Sequence, residues 1–244
     1  PLGCETVDAD GDGFEEIRVH SAAFSAVVSP RRGGVVETYL RFADGVNYAD
    51  VLTRRREAYH EMALAVMAGE EEPDNGEGAP SIHQIEQSLA LRQLPPFDAE
   101  DRALFVDRVL PASLTQQGYA AGGYEPVRSW ARVGYTAEVV ASAEAVEVRL
   151  AADGLTKRLR FAPDGALTVE YGWDASQFPA DAVFAAELSL YRPLRLRCVP
   201  EAVIWTFPVA TTAKSERGLD ETVQGESVTV RWPVRSGGGT VAVS

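Results

Sequence analysis

The chain has 244 residues, is 45% hydrophobic and carries a formal charge of −13. That length fits one large domain or two small ones, and the apolar share supports a sizeable core and excludes bulk disorder. The acidic balance, 36 Asp+Glu against 23 Lys+Arg, argues against a nucleic acid or an anionic membrane as partner, because both need a basic surface.

The first stretch, to about Phe42, alternates short apolar runs with Gly and Pro. In Phe14–His20, residues Phe14, Glu16, Arg18 and His20 share one face and Glu15, Ile17 and Val19 the other. Ala23–Ser29 and Val35–Phe42 follow, separated by a turn at Pro30-Arg-Arg-Gly-Gly34. Alternating or β-branched runs bounded by Gly and Pro predict strands. The second stretch, about 43–114, differs. Asp50 is placed to cap a helix over Val51–Ala68, whose Leu52, Arg56, Tyr59, Ala63 and Val66 recur near the helical period. Glu70–Gly78 is charged and rich in Gly and Pro, the composition of a surface loop. Pro80–Ile85 opens a short helix, and Arg102–Val109 fits either helix or strand. From about 130 onward the pattern predicts strands at Ala131–Val140, Ala145–Leu150, Thr156–Phe161, Leu167–Trp173, Val183–Leu190, Leu194–Cys198, Val203–Val209, Ser227–Trp232 and Thr240–Val243. Such a series with Gly and Asp turns points to a sandwich or barrel.

Other features set limits. Cys4 and Cys198 are too few for a disulfide framework and lack CxxC partners. No apolar run approaches the ~20 residues of a membrane span. The start at Pro1-Leu2-Gly3, without Met, reads as a fragment or a processed chain.

The sharpest local motif is Asp8-Ala-Asp10-Gly-Asp12-Gly13-Phe-Glu15-Glu16. Short carboxylates at alternate positions followed by Gly can wrap calcium, with Asp8, Asp10, Asp12 and Glu16 as ligands. The twelfth position of an EF-hand would fall on Val19, so the motif is not an EF-hand. The other reading is an acidic turn held by Asx bonds and binding nothing. His20, His60 and His83 show no paired-ligand spacing and read as structural hydrogen-bonders. Four tryptophans and several tyrosines offer ring faces for sugar stacking or for core packing. Trp205 and Trp232 lie inside apolar runs and are expected to be buried. Trp130 and Trp173 border turns and, with Tyr124, are the expected carbohydrate-contacting rings.

Several segments in register resemble the C-terminal domain of α-amylase/4-α-glucanotransferases of glycoside hydrolase family 57. They are Asn47–His60, Pro80–Ile85, Phe97–Asp107, Ala186–Leu190, Phe207–Gly218, Gln224-Gly225 and Trp232-Pro233. The resemblance covers nearly the whole chain. It implies a mostly β fold: a large β-sandwich of the galactose-mutarotase-like supersandwich type with one or two inserted helices. The chain 1–244 is then a single domain with a helical or loop insertion around 50–110. In the family a (β/α) barrel carries the catalytic carboxylates, so no catalytic residue is expected here. The implied role is a cytoplasmic, non-catalytic accessory domain that packs on the barrel of the same parent chain and can touch the α-glucan. At least one of Arg54, Arg55 and Arg56 is expected to be exposed and able to pair with a barrel carboxylate; the other reading is a solvated charge run.

Two alternatives stand beside this reading. One is an aldose-1-epimerase-like enzyme with Glu187 as base and His20, His60 or His83 as acid, facing each other across a sugar. The other is a purely structural domain.

Overall fold

The computed structural model describes residues 1–57, 60, 96–215 and 218–244. Strands β1 (Gly3–Val7), β2 (Glu16–His20), β3 (Phe24–Ser29), β4 (Val35–Arg41) and β5 (Val46–Asn47) open the chain. Further along the chain come β6 (Leu104–Leu110), a short helix α1 (Gln116–Ala121) and β7 (Arg128–Ser129). Then follow β8 (Thr136–Ala141), β9 (Val146–Ala152), β10 (Leu155–Phe161), β11 (Leu167–Trp173) and β12 (Val183–Leu190). The chain closes with β13 (Leu196–Val199), the long hairpin β14 (Val203–Ser215) and β15 (Gly218–Pro233), and β16 (Gly238–Val243).

These strands form two antiparallel sheets. The larger runs β1-β2-β3-β4-β6-β12-β15-β14, with β5 on β4 and β7 on β6; the smaller runs β13-β16-β11-β10-β9-β8. Each inner face supplies alternate residues to one core. From β12 come Phe184, Ala186, Leu188 and Leu190; from β10 and β11 come Leu155, Leu159, Phe161, Val169 and Tyr171. This is the expected β-sandwich.

Aromatic rings fill the middle of that core. Phe184 lies flat on Trp173, with ring centroids 4.2 Å apart, and is flanked by Trp130, Tyr171 and Trp232. Trp130 is 0% and Trp173 6% exposed, which corrects the expectation that these two are surface rings. The turns beside them fold inward. Trp173 Nε1 donates to the Val234 carbonyl, and Phe178 closes edge-on over Trp130. Trp232 is buried as expected, but Trp205 is only partly so, with the Arg231 guanidinium 3.4 Å above its ring.

Two further expectations are corrected. Residues 51–57 are irregular rather than the first turns of a helix, because Arg54 is tied to Asp98 through both its backbone N–H and its guanidinium. His60 is helical; the remainder of Val51–Ala68, the loop Glu70–Gly78 and Pro80–Ile85 lie outside the described residues. The ambiguous Arg102–Val109 resolves as strand β6, and the strand expected over Ala131–Val140 begins only at Thr136.

The β14–β15 hairpin carries a register shift at Val209/Ala210, where Gly225 presses on the end of β12. A Cβ on Gly225 would sit 2.2 Å from the Leu190 carbonyl oxygen, which is rigid backbone. Gly225→Ala is therefore expected to destabilise the fold by about 1–3 kcal/mol, the usual cost of overpacking, measured by urea unfolding.

Candidate functional site

A bulge in β6 prepares the site. Phe105 has φ 67°, and the β12 partner shifts from Val106 to Leu104 across it. The extra residue lets Leu104 and Phe105 both enter the core, while Val106, Arg108 and Leu110 turn outward. On β12 the outward residues are Ala185, Glu187 and Ser189. Helix α1 packs over this outer face: Thr115 caps it by accepting from the Gly118 N–H, and Tyr119 lands on Leu110 and Ala185.

Glu187 is the centre of the resulting network. Its Oε2 accepts from Arg108 Nη1 at 2.8 Å and from the Tyr119 hydroxyl at 2.7 Å. Its Oε1 accepts from Ser227 Oγ at 2.6 Å and, more weakly, from Arg102 Nη1 at 3.4 Å. Behind these, Arg102 makes a two-pronged pair with Asp98, which also holds Arg54. Arg108 pairs with Glu100, whose other oxygen accepts from Ser129 Oγ. Burial pushes the Glu187 carboxyl upward, but Arg108, Arg102 and the Ser227 and Tyr119 hydroxyls outweigh it and hold it at about 2. Burial and the adjacent carboxylate push the Tyr119 phenol well above its ordinary value.

A cavity of about 150 Å³ opens above this network. Tyr124, Phe207, Phe97 and the Gly122-Gly123 backbone form its apolar walls; Arg102, Arg108, Glu187 and Ser189 form its polar floor. Tyr124 stacks on Tyr119 with centroids 4.8 Å apart, and Phe207 meets Tyr119 edge-on. Of the three expected carbohydrate-contacting rings, Tyr124 lines this cavity, whereas Trp130 and Trp173 are core residues. Sequence reasoning missed Phe207 and the arginine floor, although Phe97–Asp107, Ala186–Leu190 and Phe207–Gly218 all carried the resemblance and meet here.

No described histidine lines this cavity. His60 Nδ1 accepts from the Glu57 N–H and its ring packs edge-on against Phe97; His20 sits on β2 opposite Gly3. His83 lies outside the described residues. Arg54 is buried against Asp98 of this same domain, whereas Arg55, paired with Asp101, is exposed, as expected of at least one of the three arginines.

In the acidic turn, one ligand oxygen each from Asp8, Asp10 and Glu16 lies within 4.8 Å of the others. Asp12 does not join them, because its Oδ1 turns back to accept from the Phe14 N–H. Asp8 accepts from the N–H groups of Gly11, Asp12 and Gly13, and Asp10 Oδ2 pairs with Arg32. Both cysteines are free thiols, and burial pushes Cys198 up. No helix among the described residues is long and apolar enough to cross a membrane.

Fold and site together define a two-sheet β-sandwich domain with a saturated ionic network on its outer face. The family model described as "Alpha-amylase/4-alpha-glucanotransferase, C-terminal" matches residues 8–194 and 189–242, and the chain belongs to that glycoside hydrolase family. It is 27% identical to a 4-alpha-glucanotransferase of Thermococcus kodakarensis over 93% of this chain and 38% of the relative. It is likewise 27% identical to an alpha-amylase of Pyrococcus furiosus over 96% of this chain and 38% of that protein. The crystal structure of 4-alpha-glucanotransferase from Thermococcus litoralis shares the fold, with a TM-score of 0.72 at 22% identity over 99% of this chain and 39% of that one. The chain thus spans about 38% of the length of the curated relatives it matches.

Proposed function

We propose that this chain is the non-catalytic C-terminal accessory domain of an α-glucan-acting hydrolase or glucanotransferase. On this reading it packs, in the cytoplasm, on a catalytic (β/α) barrel of the same parent chain. The observation that carries the reading is the state of Glu187. It is the strand carboxylate an epimerase would use as base, yet four donors occupy its oxygens and its pKa is held at about 2. A base must be free to take a proton and has its pKa near the working pH. Glu187 meets neither condition. Membership of a C-terminal family gives independent support. The test is to assay this chain for amylose hydrolysis, glucan transfer and interconversion of glucose or galactose anomers. We expect none; turnover abolished by Glu187→Gln would replace the accessory reading with the epimerase one.

Calcium belongs to the same proposal, with Asp8, Asp10 and Glu16 as ligands. Hard oxygen donors suit the ion, the three carboxylates lie within 4.8 Å of one another, and the Asp8 bonds to three N–H groups fix the loop. A chelator is expected to lower the melting temperature and added calcium to restore it. A melting curve indifferent to both removes the site.

A further inference from the structure

We infer that the cavity above Glu187 takes one glucosyl unit of an α-linked glucan, with Tyr124 and Phe207 as ring surface and Arg102 as a hydroxyl donor. The choice of an α-glucan rests on the accessory-domain reading; the choice of a neutral sugar does not. The polar floor balances itself. Arg54, Arg102 and Arg108 are matched by Asp98, Glu100 and Glu187 in ion pairs of 2.6–3.4 Å, and the remaining lining carboxylate, Asp101, is paired with Arg32 and Arg55. A phosphate or carboxylate would need surplus positive charge here, and a metal would need carboxylate oxygens not already accepting from arginine. A neutral molecule with one apolar face and a rim of hydroxyls matches what is left.

One bond in the floor is loose. Arg102 Nη1 is shared between Glu187 at 3.4 Å and Ser189 Oγ at 3.3 Å, whereas the contacts of Arg102 with Asp98 are 2.6 and 2.8 Å. That N–H can swing to a ligand hydroxyl without releasing the guanidinium from Asp98. Buried ion pairs seldom stabilise a fold more than apolar packing does, so this floor is a costly device for stability alone. The cavity volume of about 150 Å³ is on the scale of one sugar ring.

The test is calorimetric titration of the chain with maltose, maltotriose and maltoheptaose, with cellotriose as the β-linked comparison. Saturable binding of the α-linked sugars is expected, weakened about tenfold by Tyr124→Ala and by Tyr124→Leu, since a lost ring contact is worth on the order of 1 kcal/mol. Tyr124→Phe keeps the ring and should bind like the wild type. The leucine variant preserves apolar cover on Tyr119, so a folding failure of the alanine variant leaves the test intact. No saturable binding at millimolar sugar overturns the inference, as does unchanged affinity in a folded Tyr124→Leu protein. Equal binding of cellotriose overturns the α-glucan assignment. A chain that binds nothing and turns over nothing loses this site but keeps the accessory reading; a chain that turns sugar over loses the accessory reading.

Discussion

Asp107→Ala is expected to destabilise the protein by about 3–5 kcal/mol, the range for removing one partner of a buried ion pair. Asp107 on β6 and Lys157 on β10 meet across the sandwich interior at 2.8 Å, both side chains fully buried. The ammonium also donates to the Phe105 carbonyl at 2.7 Å. Burial pushes the Asp107 carboxyl up and the Lys157 amine down, and their mutual attraction opposes both shifts. Removing the carboxylate leaves an ammonium with a single carbonyl for company in a core of leucine, valine and aromatic rings. The double replacement Asp107→Leu with Lys157→Met removes both desolvation costs together. It is expected to lie within about 1 kcal/mol of the wild type, or above it. Equilibrium urea unfolding of the two single variants and the double variant gives the coupling directly. Additive single losses would show that the pair does not interact.

Glu187→Leu carries the second large effect, a loss of about 3 kcal/mol at neutral pH, because Arg108 and Arg102 each lose a buried partner. The same carboxylate makes stability depend on pH. Its folded value of about 2 lies below the ordinary 4.5, so the ionised form favours the folded state. That contribution is complete above about 4.5 and is lost as pH falls towards about 2. Linkage gives it a size of about 3 kcal/mol, in line with the mutational figure. In Glu187→Leu the acid limb of the stability profile should flatten across this window. An unchanged limb would place the acid sensitivity on other carboxylates.

Much of the sandwich was legible in the sequence because its strands alternate. In β11 every second side chain is apolar and buried, as are Val146, Val148 and Leu150 of β9, and Asp or Gly turns punctuate them. The pattern misleads where a polar residue takes a core position. Lys157 occupies an inward site between Leu155 and Leu159, and nothing local reveals that Asp107, fifty residues away, waits opposite it. Tryptophans beside turns looked exposed. Trp130 and Trp173 are buried because the neighbouring segments fold back over them through Phe178 and Val234, contacts set by tertiary packing. Helix α1 escaped notice because its six residues make less than two turns and only Tyr119 is buried.

The candidate site was legible in pieces only. Glu187 and Tyr124 were named from sequence for different roles, and the structure joins them through Tyr119. Arg102 and Arg108 stood in a segment that fitted either helix or strand. The outward face of Arg108, beside Glu187, depends on the β6 bulge at Phe105, which no residue pattern announces. The helical period does not hold over 51–57 because a bidentate Arg54–Asp98 pair and a backbone bond to the same carboxylate tie that stretch to Asp98.

Titrating the Glu187 carboxyl by carbon-detected NMR in the folded chain probes the claim on which the functional account stands. A midpoint near 2, with no proton taken up around neutrality, is what a carboxylate locked between two arginines must give. A midpoint within a unit or so of neutral pH would mean a group poised for proton transfer, and this sandwich would then have to be read as an enzyme in its own right.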